Sequence, residues 1–328
     1  MGRTQPSIVQ PPASFRRSAR AKQAKLTVNN TIPRLLSAHR RAQLGIEATE
    51  LLVEPLEAYR PASLHPEDGQ HGPRLSICVA DTLTVAHSLL FNSSNASNEP
   101  NKKNCKVAIL NMASPLSPGG GVLNGANSQE ESLCRRTTLL PALRDEFYRL
   151  PELGAVYTPD VLVFKNESDD GILEKKDRWF VDCVTAAMLR MPDCQQDESG
   201  TRVYENQKDR DLALAKMNMV LRISQLKGVQ RLVLGAWGCG AYGNPVGEIA
   251  KAWRKALLPN ESRRNGESFT GSKWNVLEEV VFAIKDPVMA EQFAIAFGRD
   301  VLNVPIELQE DTSEDESLRG SGNRDRSD

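Results

Sequence analysis

The feature that most constrains this chain is an alternation between two kinds of segment. Short apolar runs containing β-branched residues fall at 75–79, 107–112, 161–164, 180–184, 232–236 and 280–284. Between and around them lie longer segments, at 33–52, 82–90, 138–150, 211–226, 245–257 and 287–297, whose apolar residues recur at helical spacing. A strand that is apolar at consecutive positions has no face to give to water, so it belongs inside a sheet covered on both sides. Helices placed between such strands supply the cover. The expected class is therefore α/β, a sandwich with a largely buried sheet. Proline opens several of the helical segments, a position where its missing N–H costs nothing.

With 328 residues, 40% hydrophobic and 25% charged, the chain has enough apolar material for one large core and no internal repeat. Both ends differ in composition from the middle. The first 41 residues carry nine Lys or Arg and no acid, which reads as a disordered basic arm over residues 1–34. Its cluster from Arg16 to Lys22 fits a nuclear-import patch, a nucleic-acid contact, a mitochondrial leader or a plain solvated tail. Beyond Leu308 there are seven acids, three arginines and no aromatic residue, so residues 306–328 read as a disordered acidic tail. Residues 35–305 then form the folded domain, with surface insertions expected at 193–204 and 260–272.

Several classes of function are excluded. No apolar run approaches the roughly 20 residues of a membrane helix. Net charge is −1, so any polyanion contact must be local. The six cysteines and four histidines show no metal-ligand spacing, so neither metal, cofactor nor disulfide framework is expected. A monomer in the nucleus, the cytoplasm or both is the expectation for state and place.

Chemistry concentrates in two glycine-rich turns that follow buried strands. The first, Gly119-Gly120-Gly121, comes after the strand at 107–112. Without Cβ atoms its backbone can approach a ligand and turn N–H groups toward an anion, or it is simply a tight turn. It has neither the Gly-Lys-Ser/Thr ending of a nucleotide-hydrolysing phosphate loop nor a helix-opening Gly-x-Gly-x-x-Gly. Eight residues on, Gln129-Glu130-Glu131 precedes a helix expected to begin near Ser132. Acids there can serve the helix dipole. Alternatively, two adjacent carboxylates repel each other, which raises the pKa of one and fits it for acid-assisted glycosidic cleavage. The second turn, residues 235–245, again joins a strand to a helix and offers another anion site. Tyr242 within it is either a surface for a ribose or base or an aromatic plug, and Cys239 reads as a buried thiol rather than a nucleophile.

The run Ile109-Leu110-Asn111-Met112-Ala113-Ser114 through Gly119-Gly120-Gly121-Val122, with Gln129-Glu130-Glu131 seven residues later, resembles the signature of poly(ADP-ribose) glycohydrolases of the macrodomain superfamily. Further stretches, Leu123-Asn124-Gly125-Ala126, Glu131-Ser132-Leu133-Cys134-Arg135 and Tyr157-Thr158-Pro159-Asp160-Val161, are similar to the microbial-type branch, and the likeness spans roughly residues 35–300. It implies a macrodomain-like three-layer α/β/α sandwich with a mixed sheet and an N-terminal helical extension. It also implies hydrolysis of the ribose–ribose bond of poly(ADP-ribose), releasing ADP-ribose, with Glu131 as general acid and base and Glu130 on the adjoining ribose. Gln129 would hold that pair, and Gly119, Gly120, Gly121 and Val122 would cradle the diphosphate. Gly238, Cys239, Gly240 and Ala241 would form the second phosphate loop, with Tyr242 over the distal ribose. Asn111 and Ser114 would line the ribose pocket, and Asp81 would read the adenine amino group. Removal of single ADP-ribose groups from protein or nucleic acid, and binding without turnover, are the alternatives.

Overall fold

A computed structural model describes residues 11–54, 72–91, 105–167, 171–258 and 274–303. Its centre is a seven-stranded sheet built from β1 (Glu50–Val53), β2 (Arg74–Cys78), β3 (Val107–Met112), β4 (Gly154–Val163), β5 (Trp179–Ala186), β8 (Arg231–Leu234) and β9 (Glu279–Ala283), in the order β1-β4-β5-β3-β8-β9-β2. Strands β5, β3, β8, β9 and β2 run parallel, and β4 and β1 join one edge antiparallel. The sheet is thus mixed, as expected.

Alternate residues of each central strand face opposite layers. Ala108, Leu110, Leu232, Leu234, Val280 and Phe282 meet one core, into which α6 (Gln207–Leu226), α7 (Val246–Leu257) and α8 (Pro287–Phe297) press Met217, Val220, Trp253, Phe293 and Phe297. Ile109, Val233 and Val281 meet the other, filled by Leu83, Val85 and Leu89 of α4 (Thr82–Phe91) and Leu133 and Cys134 of α5 (Gln129–Arg136). These two covered faces account for the unbroken apolar runs in the sequence and make a three-layer sandwich.

Three expectations are corrected. The basic arm is helical, not disordered, over its described part: α1 (Ala13–Leu26) continues through a wider π turn (Thr27–Thr31) into α2 (Ile32–Ala38). Ala24 is fully buried in the same core as Val122, and Ala13, Ala19, Ala21 and Ala24 give α1 strong intrinsic helix propensity that its positive charge masks. Residues 1–10 and the acidic tail lie outside the described residues. The helix expected over 33–52 divides at His39 into α2 and α3 (Arg40–Glu47) and gives way to the edge strand β1. Residues 138–150 hold only two single 3-10 turns, although Leu139, Leu143, Phe147 and Leu150 are buried as their spacing requires. The surface insertion expected at 193–204 is largely exposed and folds as the hairpin β6 (Cys194–Gln196) and β7 (Arg202–Tyr204), which ends on a buried tyrosine. The stretch 260–272 lies outside the described residues.

Candidate active site

The parallel strands β3, β8, β9 and β2 all end on one side of the sheet, where ligands of open α/β folds are held. The segments that follow them enclose a cleft of about 940 Å3, lined among others by Asp81, Ser114, Gly120, Gln129, Glu130, Glu131 and Tyr242. A smaller cavity of about 190 Å3 between α6 and α7 contains none of the expected site residues.

The acid pair opens α5 rather than preceding it. Ser128 caps the helix, so Glu130 and Glu131 occupy its first turn and Glu131 closes a capping box. Its Oε2 accepts from the Ser128 backbone N–H at 2.9 Å and from the Ser128 hydroxyl, and its Oε1 accepts from the Gly121 N–H at 2.9 Å. The box stabilises the helix start by about 1 kcal/mol. The same three donors fix one carboxylate at the cleft wall, so the dipole reading and the chemical reading describe a single arrangement.

Glu130 is held differently. Its Oε2 accepts from the Ser114 N–H at 2.7 Å, while its Oε1 is buried with no partner among the described residues. Burial, reinforced by repulsion from Glu131, pushes its carboxyl up to about 8, against the opposing pull of the Ser114 hydrogen bond. At neutral pH Glu130 therefore keeps its proton. Gly120 passes between the two acids at φ +57°, and a Cβ there would lie 2.7 Å from Glu131 Oε1 and 2.9 Å from Glu130 Oε2. Only glycine fits there without moving one of the two acids.

Gln129 ties the pair to the sheet. Its Oε1 accepts from the Met112 N–H at 2.9 Å and its Nε2 donates to the Leu110 carbonyl at 2.7 Å, so the start of α5 is locked onto the end of β3.

The remaining first-loop residues are placed less directly. Gly119 and Val122 are buried beneath the loop and, like Gly121, do not line the cleft. The N–H groups of Gly120 and Val122 are spent within the turn, on Ser117 and Gly119, and that of Gly121 on Glu131. In this arrangement the triplet organises the acids more than it cradles an anion. The second loop is the open donor surface: Gly238, Gly240, Ala241 and Tyr242 line the cleft, and no hydrogen bond among the described residues uses their backbone N–H groups.

Asn111 does not reach the cleft. It is fully buried on β3, paired in register with Thr185, and donates to the Thr185 hydroxyl at 3.2 Å. It lies within hydrogen-bonding reach of Glu130, so it acts from behind that acid. Ser114 reaches the Tyr242 hydroxyl with its side chain, and the two loops meet there. Cys239 is half-buried, and desolvation pushes its thiol up to about 12, which disfavours the thiolate. Asp81 does line the cleft, but its Oδ1 is taken by the Leu83 N–H at 3.0 Å and by Arg136 Nη1 at 2.8 Å.

Sequence reasoning missed Arg136, Asn244 and Tyr204. Arg136 is buried and anchors Asp81. Asn244 staples the second loop through the Gly238 and Leu189 carbonyls, at 3.0 and 2.8 Å, and receives the Tyr204 hydroxyl at 2.7 Å. Their partners are distant in sequence, so no local pattern marked them.

The model of the microbial-type PARG catalytic domain matches residues 34–166, which contain the glycine triplet, Gln129 and both acids. Over that stretch the chain is similar to the microbial-type PARG catalytic domain. Poly(ADP-ribose) glycohydrolase from Thermomonospora curvata is 25% identical with a TM-score of 0.61, over 86% of this chain and 99% of that one. The same enzyme bound to the inhibitor ADP-HPD gives 26% and 0.59, over 87% of this chain and 100% of that one. The PARG of Deinococcus radiodurans in complex with ADP-ribose shares the fold at 22% identity, TM-score 0.54, over 80% of this chain and 98% of that one. No curated protein matches the chain. The structural likeness to these PARG folds extends well beyond residue 166 and takes in the whole sandwich.

Proposed function

We propose that this chain hydrolyses the ribose–ribose O-glycosidic bond of poly(ADP-ribose) and releases ADP-ribose, with Glu131 as general acid and base. The observation that carries this reading is the pair of buried carboxyls flanking Gly120 at the wall of a cleft whose second loop offers backbone N–H groups that are unpaired among the described residues. The likeness to poly(ADP-ribose) glycohydrolase structures, one of them bound to the inhibitor ADP-HPD, supports the substrate class.

In this reading the second loop takes the diphosphate through the N–H groups of Gly240, Ala241 and Tyr242, and Asp81, fixed by Arg136, receives the adenine amino group. Glu130, neutral at pH 7, donates to a hydroxyl of the reacting ribose. Protonated Glu131 gives its proton to the departing ribose oxygen. The sugar left behind gains oxocarbenium character beside the diphosphate, and the Glu131 carboxylate then takes a proton from the attacking water. Binding energy gathered along the diphosphate goes into orienting that ribose. A module that only reads ADP-ribose has no use for two adjacent buried acids, whose desolvation costs stability.

One feature favours an exchange of roles within the pair: burial keeps Glu130 neutral at pH 7, so it too has a proton to give. The two single variants decide between the assignments. ADP-ribose release is followed by mass spectrometry from poly(ADP-ribosyl)ated and mono-ADP-ribosylated protein. E131Q is expected to abolish release from polymer while keeping ADP-ribose affinity within about tenfold, about 1.4 kcal/mol. E130Q, which preserves a neutral donor, is expected to retain measurable turnover. The reverse result moves the acid to Glu130. Release from the mono-modified protein alone moves the substrate, and no release by wild type with intact ADP-ribose binding makes the chain a reader.

A further inference from the structure

Helix α1 precedes the residues matched by the family model, yet it lies directly against the catalytic loop. Arg17 Nε donates to the Asn124 carbonyl and Arg20 Nε to the Gly125 carbonyl, both at 3.0 Å. Gly125 adopts φ +73°, and a Cβ on it would stand 2.0 Å from the Arg17 carbonyl oxygen, so helix and turn are in close backbone contact. Three residues further along the same loop is Ser128, which bonds Glu131 and lines the cleft.

Each of these two arginines uses one of its five N–H donors on the loop. Among the described residues the terminal Nη groups of both make no hydrogen bond and no ion pair. Arg17 is exposed and Arg20 half-exposed, one turn apart on a helix that contains no acid. A guanidinium fixed at Nε with its fork open is preorganised for a phosphate, because the entropy of placing the long side chain is already spent. The loop does not depend on them for its shape. Asn124 N–H donates to the Gly121 carbonyl, Ala126 N–H to the same carbonyl, and Arg135 holds the Ala126 carbonyl and the Asn127 side chain.

We infer that Arg17 and Arg20 form a second anion subsite that receives the diphosphate of the polymer unit next to the one being cleaved. The inference rests on the polymer-cleaving reading above. A substrate with one ADP-ribose unit fills the cleft alone, whereas a polymer leaving the cleft past Ser128 carries its next diphosphate toward two open guanidinium forks. The pair therefore distinguishes chain-end cleavage of a polymer from cleavage of an isolated unit, and it does so through binding rather than chemistry.

The test compares two substrates on the full-length protein: poly(ADP-ribose), and a fluorogenic aryl glycoside of ADP-ribose, which has a single diphosphate. The R17Q/R20Q variant is expected to raise KM for polymer about tenfold with kcat within about twofold, and to leave kcat/KM for the aryl glycoside within about twofold. Its polymer KM is also expected to depend less steeply on salt than that of wild type. R17K/R20K, which keeps the charges, is expected to recover most of the polymer KM. An equal fall on both substrates would mean that the arginines only hold the loop, and an unchanged polymer KM would mean that they bind no polymer. Loss of affinity for a DNA oligonucleotide with polymer KM unchanged would assign the pair to nucleic acid and overturn the proposal. Wild type inactive on both substrates would refute the proposed activity instead, so the two failures are distinguishable.

Discussion

Glu130 shows how one residue carries both a stability term and a functional one. Its Oε1 and the Oδ1 of neighbouring Asn111 are both buried and both lack a partner among the described residues. A carboxylate oxygen buried without a donor is costly, and a proton on Glu130 removes the charge that makes it so. The carboxyl pushed up to about 8 by burial agrees with that geometry. Linkage then fixes the sign. Below the ordinary value of 4.5 the acid is neutral in folded and unfolded chain alike. Between there and about 8 the unfolded chain releases the proton while the folded chain keeps it, so stability falls as pH rises and levels off above about 8. E130Q imitates the neutral acid and removes this contribution. Its thermal midpoint is expected to gain on wild type steadily from pH 5 to pH 8.5, measured by scanning calorimetry. Parallel curves for the two proteins would show that Glu130 ionises normally in the fold.

At the scale of elements, the second loop is a stapled structure and not a free turn. Asn244 is buried, spans two carbonyls and receives the hydroxyl of Tyr204 from the β6–β7 hairpin. Gly238, at φ +79°, sits so near it that a Cβ would fall 2.5 Å from the Asn244 amide nitrogen. N244A strands the buried Tyr204 hydroxyl and two carbonyls, which costs about 2–3 kcal/mol. It also releases the N–H groups that face the cleft. The expected outcome is a lower thermal midpoint together with about tenfold weaker ADP-ribose binding by calorimetry; a lower midpoint with unchanged affinity would separate the staple from the anion site. These elements also mark what the sequence reveals. Strands buried on both faces, such as β3, β8 and β9, are visible as continuous apolar runs, and the glycines and acids that follow β3 stand together in sequence. Strand β1 was hidden because it lies at the sheet edge with Val53 half exposed, and it directly follows a helical pattern. The region 138–150 kept its inward leucines but not its helix, with Pro141 inside its first turn. Asn244 and Tyr204 carry no local signal, since their meaning arises only when a hairpin 40 residues upstream packs on the loop.

For the whole molecule, the question is where the working unit begins. The family match starts at residue 34, and the sequence reading starts the domain at residue 35, after a disordered basic arm. The structure moves it. Helix α1 runs without a break into α2, whose Ile32 and Leu35 pack with Leu162 and Phe164, so the N-terminal rod is rooted beside the sheet edge and reaches across to the catalytic loop. Its hold on that loop is modest in area, with Ala24 the residue of α1 that is buried, but it includes two charge-assisted hydrogen bonds and the close contact at Gly125. Removing residues 1–26 leaves Ile32 in place, exposes Val122 and the turn beside it, and takes both arginines away. For a domain of this size the loss is on the order of 2 kcal/mol, or about 5 °C in thermal midpoint. The truncated protein is expected to show that drop, to lose polymer affinity as R17Q/R20Q does, and to regain part of its midpoint when saturated with ADP-ribose, since a ligand that binds only the folded state stabilises it. A truncation with an unchanged midpoint would mean that α1 does not dock in solution, and the functional unit would then begin at the sheet-edge helices after all.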